Sequence, residues 1–189
     1  MRKQRNFILI LTFFLSGFFG EGVLHSVADP GVQTPWLETL SRTCPTPESL
    51  ARFFQEQITF QEDIRLFGEV DYWQAPEEFL SRRAGDCEDY ALLAQAVLRR
   101  LGFEAFVFSL YGENGYAHTV CVFTQDGRYD VINEDRLLRL EAGSLEEVAT
   151  QLYPQWTWAA VAERSGTRGR GIRFIEHELK TSRHLSTGA

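Results

Sequence analysis

The chain has 189 residues, 44% of them hydrophobic, 13% aromatic and 24% charged, with a formal net charge of −7. That is material for one well-packed domain and too little for two. The acidic balance argues against nucleic acid as the main partner, because phosphate binding needs a basic surface.

The N-terminus has the layout of a targeting segment. Arg2, Lys3 and Arg5 form a basic patch, and the 14 residues from Phe7 to Gly20 are apolar or small. Ser26-Val27-Ala28 offers small side chains at the positions an export peptidase reads. Residues 1–28 are therefore predicted as a signal peptide cut before Asp29, or as an N-terminal anchor. The apolar run is short for a membrane span, which needs about 20 residues. Both forms place the domain outside the cytoplasm, periplasmic or extracellular. The folded domain is expected over residues 29–163, followed by a basic tail, 164–189, with Arg168, Arg170, Arg173, Lys180 and Arg183. Cys44, Cys87 and Cys121 make an odd count that does not suit a disulfide framework. Cys121, in an apolar strand, is expected to be plain core.

In chain order, residues 29–43 read as a lead-in. Thr46-Pro47 then opens a helix to about Ile58, with Pro at the first helical position. Residues 59–75 are irregular and aromatic, with Phe60, Phe67, Tyr72 and Trp73, and a short helix follows over 76–83. The pivotal helix runs from Cys87 to about Leu101, capped by Asp86 and closed by Gly102. Cys87, Ala91, Ala94, Leu98 and Leu101 recur at helical spacing and mark a buried stripe. Strands are expected over 103–111, 116–125 and 128–133, the last two joined by an Asp126-Gly127 hairpin turn. Ser144, three residues before Glu147, caps a helix to Leu152, and residues 155–163 read as another strand.

A thiol becomes a nucleophile only as thiolate, and the first turn of a helix supplies the N–H groups and positive potential that favour that form. Cys87 occupies such a turn, inside Gly-Asp-Cys-Glu-Asp-Tyr. Of the four histidines, His25, His177 and His184 fall in the leader or tail, leaving His118, 31 residues after Cys87 and on a strand, as the base. A zinc site of His118 with Cys121 fails, since those positions point to opposite faces of a strand. If Asp126-Gly127 is the turn, residue i faces residue 253 − i across the hairpin. His118 then lies opposite Asp135 and diagonal to Asn133, whereas Asp130 falls on the other face unless a bulge reverses the parity. Register thus favours Asn133 over Asp130 as the group that orients the imidazole, with Asp135 open. Trp73 or Gln74 is a candidate to complete an oxyanion hole or to wall the cleft. Asp86, Glu88 and Asp89 put negative charge around the thiol and by themselves would raise its pKa. They read either as helix caps or as a calcium site, though their spacing matches no EF-hand.

The Gly85–Ala91 run resembles the bacterial transglutaminase-like cysteine proteinases of the wider transglutaminase-like superfamily. The flanking order agrees over residues 45–162: Tyr72-Trp73, Pro76-Glu77-Glu78-Phe79-Leu80, Leu101-Gly102, Ala117-His118 and Val131-Ile132-Asn133. The resemblance implies a papain-like α+β fold, a central Cys helix packed on an antiparallel sheet that carries the His. It also implies a Cys-His-Asp triad acting on peptide or glutamine amides, a peptide or protein as partner, and calcium in some members, with Asp86 and Glu88 at the ligand positions. Asn133 departs from the usual Asp. The function read from these residues is an exported cysteine protease or amidase. The alternatives are a protein-crosslinking transglutaminase and a non-catalytic domain of the same fold that binds a peptide or partner protein.

Overall fold

A computed structural model describes residues 34–164 and 170–177. The elements run α1 (Pro35–Thr43), α2 (Pro47–Gln57), β1 (Thr59–Phe60), α3 (Asp63–Leu66), α4 (Pro76–Arg82), β2 (Ala84–Gly85), α5 (Cys87–Arg100), β3 (Ala105–Gly112), β4 (Ala117–Gln125), β5 (Arg128–Asn133), β6 (Arg136–Ala142), α6 (Leu145–Leu152), β7 (Trp156–Arg164) and β8 (Arg170–Glu176). The fold is α+β, as expected. Six strands form one sheet in the order β6-β5-β4-β3-β7-β8, antiparallel throughout.

Strand alternation splits the interior into two layers. Val107, Cys121, Phe123 and Ile132 pack with α5, α1 and α2 in one core. Phe108, Leu110, Val120, Val122 and Val131 pack with α6 on the opposite face. Helix α5 is buried along its length, with Leu93, Ala94, Val97 and Leu98 at zero exposure. A helix apolar nearly all round has to sit between layers. Phe54 and Phe79 clasp Tyr90 on α5 edge-on, at centroid distances of 5.1 and 5.0 Å. Gly102, at φ 94°, closes the helix as expected, and the Phe103 N–H reaches back to the Leu98 carbonyl.

The β4–β5 hairpin has the register read from its turn: Cys121 faces Ile132 and Phe123 faces Asp130. Asp126 and Gly127 both take positive φ, 52° and 75°, as a two-residue turn between twisted strands requires.

Three elements go beyond the sequence expectations. Residues 35–43, inside the expected lead-in, form α1, and residues 136–142 form β6. The sheet also passes the expected boundary at 163: β8 pairs with β7 from Trp158↔Glu176 to Arg164↔Arg170. His177, expected in the tail, belongs to the fold, its ring stacked on Trp156 at 4.5 Å and its Nδ1 bonded to the Trp156 carbonyl. The predicted leader, 1–28, and residues 178–189 lie outside the described residues.

Asp130 has a structural post. Its carboxylate is 5% exposed and accepts from Arg139 Nη1 at 2.6 Å and from the Leu140 and Glu141 N–H groups at 3.0 and 3.1 Å. It thereby closes the register shift between β5 and β6. Arg139 also pairs with Glu48 at the start of α2. Asp130→Ala strands two backbone donors and one guanidinium, so a loss of about 2–4 kcal/mol is expected in urea denaturation.

Candidate active site

The nucleophile candidate is set by the chain ahead of α5. Parallel pairing of β1 with β2 fixes Thr59 against Ala84 and Phe60 against Gly85, just before Asp86. From inside the first turn, Asp89 reaches back to the Asp86 N–H at 3.2 Å. The same carboxylate takes the Gln74 N–H at 2.8 Å and Gln74 Nε2 at 2.5 Å. Asp89 and Gln74 are both at zero exposure, so this knot locks segment 73–75 to the start of α5. Gln74 Nε2 also donates to the Ala84 carbonyl at 3.0 Å, and Arg82 Nε donates to Gln74 Oε1 at 3.1 Å. Both amide hydrogens are committed, which leaves Gln74 as a strut and not a free oxyanion donor. Trp73 is half-buried against the α5 core, its Nε1 bonded to Asp71 at 2.9 Å.

Cys87 is half-buried and its Sγ donates to Glu88 Oε2 at 3.1 Å. Burial, then the charge of Glu88, push this thiol well above its ordinary range, and the Thr119 backbone acts the other way. Helix α5, which Cys87 opens, packs along β4, the strand that carries His118.

His118 Nε2 lies 2.8 Å from Asn133 Oδ1. Because that oxygen can only accept, Nε2 carries the hydrogen and the lone pair of the neutral ring sits on Nδ1. The β4–β5 ladder ends at Cys121↔Ile132, and the diagonal pair bridges the strands beyond it. His118 and Asn133 share the strand parity of Val120 and Val131, opposite to that of Thr119. Cys87 opens α5, which packs along β4, the strand that carries His118, and the imidazole is bonded in turn to Asn133 on β5. Asp130 serves Arg139 instead, and Asp135 pairs with Arg136.

Acidic residues surround this corner. Ligand-capable atoms of Asp86, Cys87 and Glu88 lie within 4.8 Å of one another, as do those of Asp63, Asp86 and Asp89 and those of Asp63, Asp71 and Glu88. Asp86 and Glu88 were expected here. Asp63 and Asp71 come from the irregular segment, where no spacing rule connects them to Cys87. Burial pushes Asp63 up to about 6 against the Tyr72 N–H bond, and Asp89 up to about 7 against its Gln74 bonds. Burial also raises Asp86, and burial with the Asp86 charge raises Glu88. Asp63 Oδ1 and Asp86 Oδ1 are buried without a hydrogen-bond partner.

Comparison with known proteins gives the family. No curated protein sequence matches. Among solved structures, a putative cysteine protease from Cytophaga hutchinsonii aligns at 14% identity and TM-score 0.45, over 82% of this chain and 56% of that one. The chain thus spans little more than half of that protein. Legionella pneumophila LapG aligns in its calcium-bound form at 20% identity and TM-score 0.47, over 77% of this chain and 81% of that one. Its EGTA-treated form aligns at 19% and 0.47, over 73% and 78%. The family profile described as bacterial transglutaminase-like cysteine proteinase BTLCP matches residues 37–144. That match spans α1 through β6 and takes in Cys87, His118 and Asn133, so the chain belongs to the bacterial transglutaminase-like cysteine proteinase family.

Proposed function

We propose that the protein is an exported hydrolase of peptide amide bonds, with Cys87 as nucleophile, His118 as acid–base and Asn133 as the group that orients the ring. One observation carries this reading: on the strand against which the Cys87 helix packs stands a histidine whose Nε2 is held by Asn133. Nδ1 takes the thiol proton, and the thiolate sulfur adds to the amide carbonyl. The carbon–nitrogen bond breaks, and the imidazolium returns the proton to the departing amine. Water then attacks the thioester, giving a carboxylic acid and restoring the thiol. The backbone N–H of Cys87, which the helix itself gives no carbonyl partner, receives the oxyanion. Trp73 walls the cleft. Water is the acyl acceptor in this reading; a lysine amine in its place would make a crosslinker.

Calcium fits the acidic corner. Hard cations take carboxylate oxygens, and two buried carboxylate oxygens here lack a partner. Asp63, Asp71, Asp86, Glu88 and Asp89 would hold the ion. When bound it supplies positive charge beside the sulfur, favouring the ionised carboxylates and the thiolate. Asp63 and Asp89 have folded-state values of about 6 and about 7, above the roughly 3.9 of an unfolded chain. Between these values the folded state binds more protons. Their contribution is full below about pH 4 and is lost as pH rises through 6 and 7. In EGTA, the melting temperature is expected to fall by about 5 °C or more from pH 5 to 8. Millimolar calcium should restore it at pH 8 and change little at pH 5.

The functional test is labelling by a thiol-directed peptide amide probe, with calcium present. Selective modification of Cys87 that disappears in His118→Ala supports the hydrolase. Slow labelling independent of His118 overturns it in favour of a binding-only domain.

A further inference from the structure

The α5 side of the sheet carries aromatic rings that the chemistry at Cys87 leaves without a role. Tyr111 pairs with Trp158 across β3–β7, and Phe174 pairs with Ala160, two residues along β7 on the same side. By alternation this is the face of Val107 and Ala162, which join the core under α5. Tyr111 and Trp158 stack with centroids 3.7 Å apart at 8°, and Phe174 lies 6.0 Å beyond Trp158. Phe174 is 48% exposed, so the outer end of the strip is open to solvent. The inner end adjoins the site: Tyr111 faces Ala117 across β3–β4, beside the pair of Leu110 with His118.

Resting on the hydrolase reading of Cys87, we propose that Tyr111, Trp158 and Phe174 form a substrate subsite for a large apolar side chain within about three residues of the scissile bond. The two ring-to-ring steps of 3.7 and 6.0 Å reach no farther than about three extended residues, at roughly 3.3 Å each. A flat stacked pair ending in a half-exposed phenyl suits an aromatic or branched aliphatic side chain laid across it. Glu176, opposite Trp158 on the same face, disfavours acidic residues there.

The test is mass-spectrometric mapping of bonds cleaved by the full chain, with calcium, in a defined library of synthetic peptides. Phe, Tyr, Leu or Ile should be enriched at one fixed position within three residues of the cut. Trp158→Ala and the surface change Phe174→Ser should each lower the preference for those residues over Ser or Gly about tenfold. Trp158→Phe and Phe174→Tyr should restore it. Cleavage without such enrichment, or enrichment that survives in both Trp158→Ala and Phe174→Ser, overturns the subsite while the hydrolase stands. A wild-type chain that cleaves nothing and takes no probe at Cys87 overturns both.

Discussion

His118→Ala should cut peptide hydrolysis by at least about a thousandfold while the melting temperature stays within a few degrees of wild type. The asymmetry follows from placement. His118 sits half-buried at the start of β4, beyond the end of the β4–β5 ladder, so its ring carries little of the fold. Its proposed chemistry is another matter. A thiol raised by burial and by Glu88 yields little thiolate near neutral pH without a base to take its proton. Removing an acid–base group that works as a unit with its nucleophile costs on the order of 10³-fold or more. Asn133→Ala should cost less, about 10- to 100-fold, because the ring loses its bond at Nε2 and keeps Nδ1. Asn133→Asp should retain activity, since a carboxylate oxygen can accept from Nε2 as the amide oxygen does. Steady-state kinetics beside thermal denaturation of each variant separates these outcomes. A His118→Ala protein with more than a tenth of wild-type activity would remove the imidazole from the mechanism.

Gly85→Ala should be among the most destabilising single-methyl changes in the domain. A Cβ at 85 would overlap Asp89 Oδ2 and meet Gln74 Nε2 at 2.6 Å and Phe79 Cε2 at 2.8 Å. None of the three can yield at low cost. Asp89 and Gln74 are fully buried and bonded to each other, and Phe79 is fully buried against Tyr90. The physical reason for a glycine two residues before the cysteine is thus close approach, not an unusual backbone angle. Overpacking of this kind costs about 1–3 kcal/mol, and breaking a buried polar knot adds to it. A fall of about 10 °C in melting temperature is expected. Because Asp89 also holds the Asp86 N–H, the start of α5 should shift and activity should drop along with stability. A Gly85→Ala protein that melts within about 2 °C of wild type would show that the Asp89–Gln74 knot is not rigid.

The parts of the fold that local chemistry dictates were legible in the sequence. Asp126-Gly127 set the β4–β5 register, and the register placed Asn133 diagonal to His118 and sent Asp130 elsewhere. Asp86 and Gly102 bounded α5 to within a residue. What stayed hidden depends on long-range packing. α1 is only 9 residues long, too short to hold on its own, and forms because Leu37 and Leu40 pack into the α5 core. β6 puts Leu137 on one core and Leu138 and Leu140 on the other, interrupted by Arg136 and Arg139, a poor alternation that only pairing with β5 makes a strand. β8 sits among basic residues that read as tail. In the site, Asp63 and Asp71 reach Glu88 from a segment without periodicity, and Gln74 looked like a cleft donor because its burial is invisible in sequence.

Cross-linking with 1,3-dibromoacetone probes the proposed thiol–imidazole pair most directly, because its three carbons join a sulfur to a ring nitrogen only when both lie within a few ångströms. Mass spectrometry of the digested protein should show the Cys87 peptide bridged to the His118 peptide as the main adduct. The bridge should be absent in His118→Ala, where Cys87 carries a single-ended adduct. A wild-type protein that gives single-ended modification of Cys87, with no bridge to His118, would contradict the pairing.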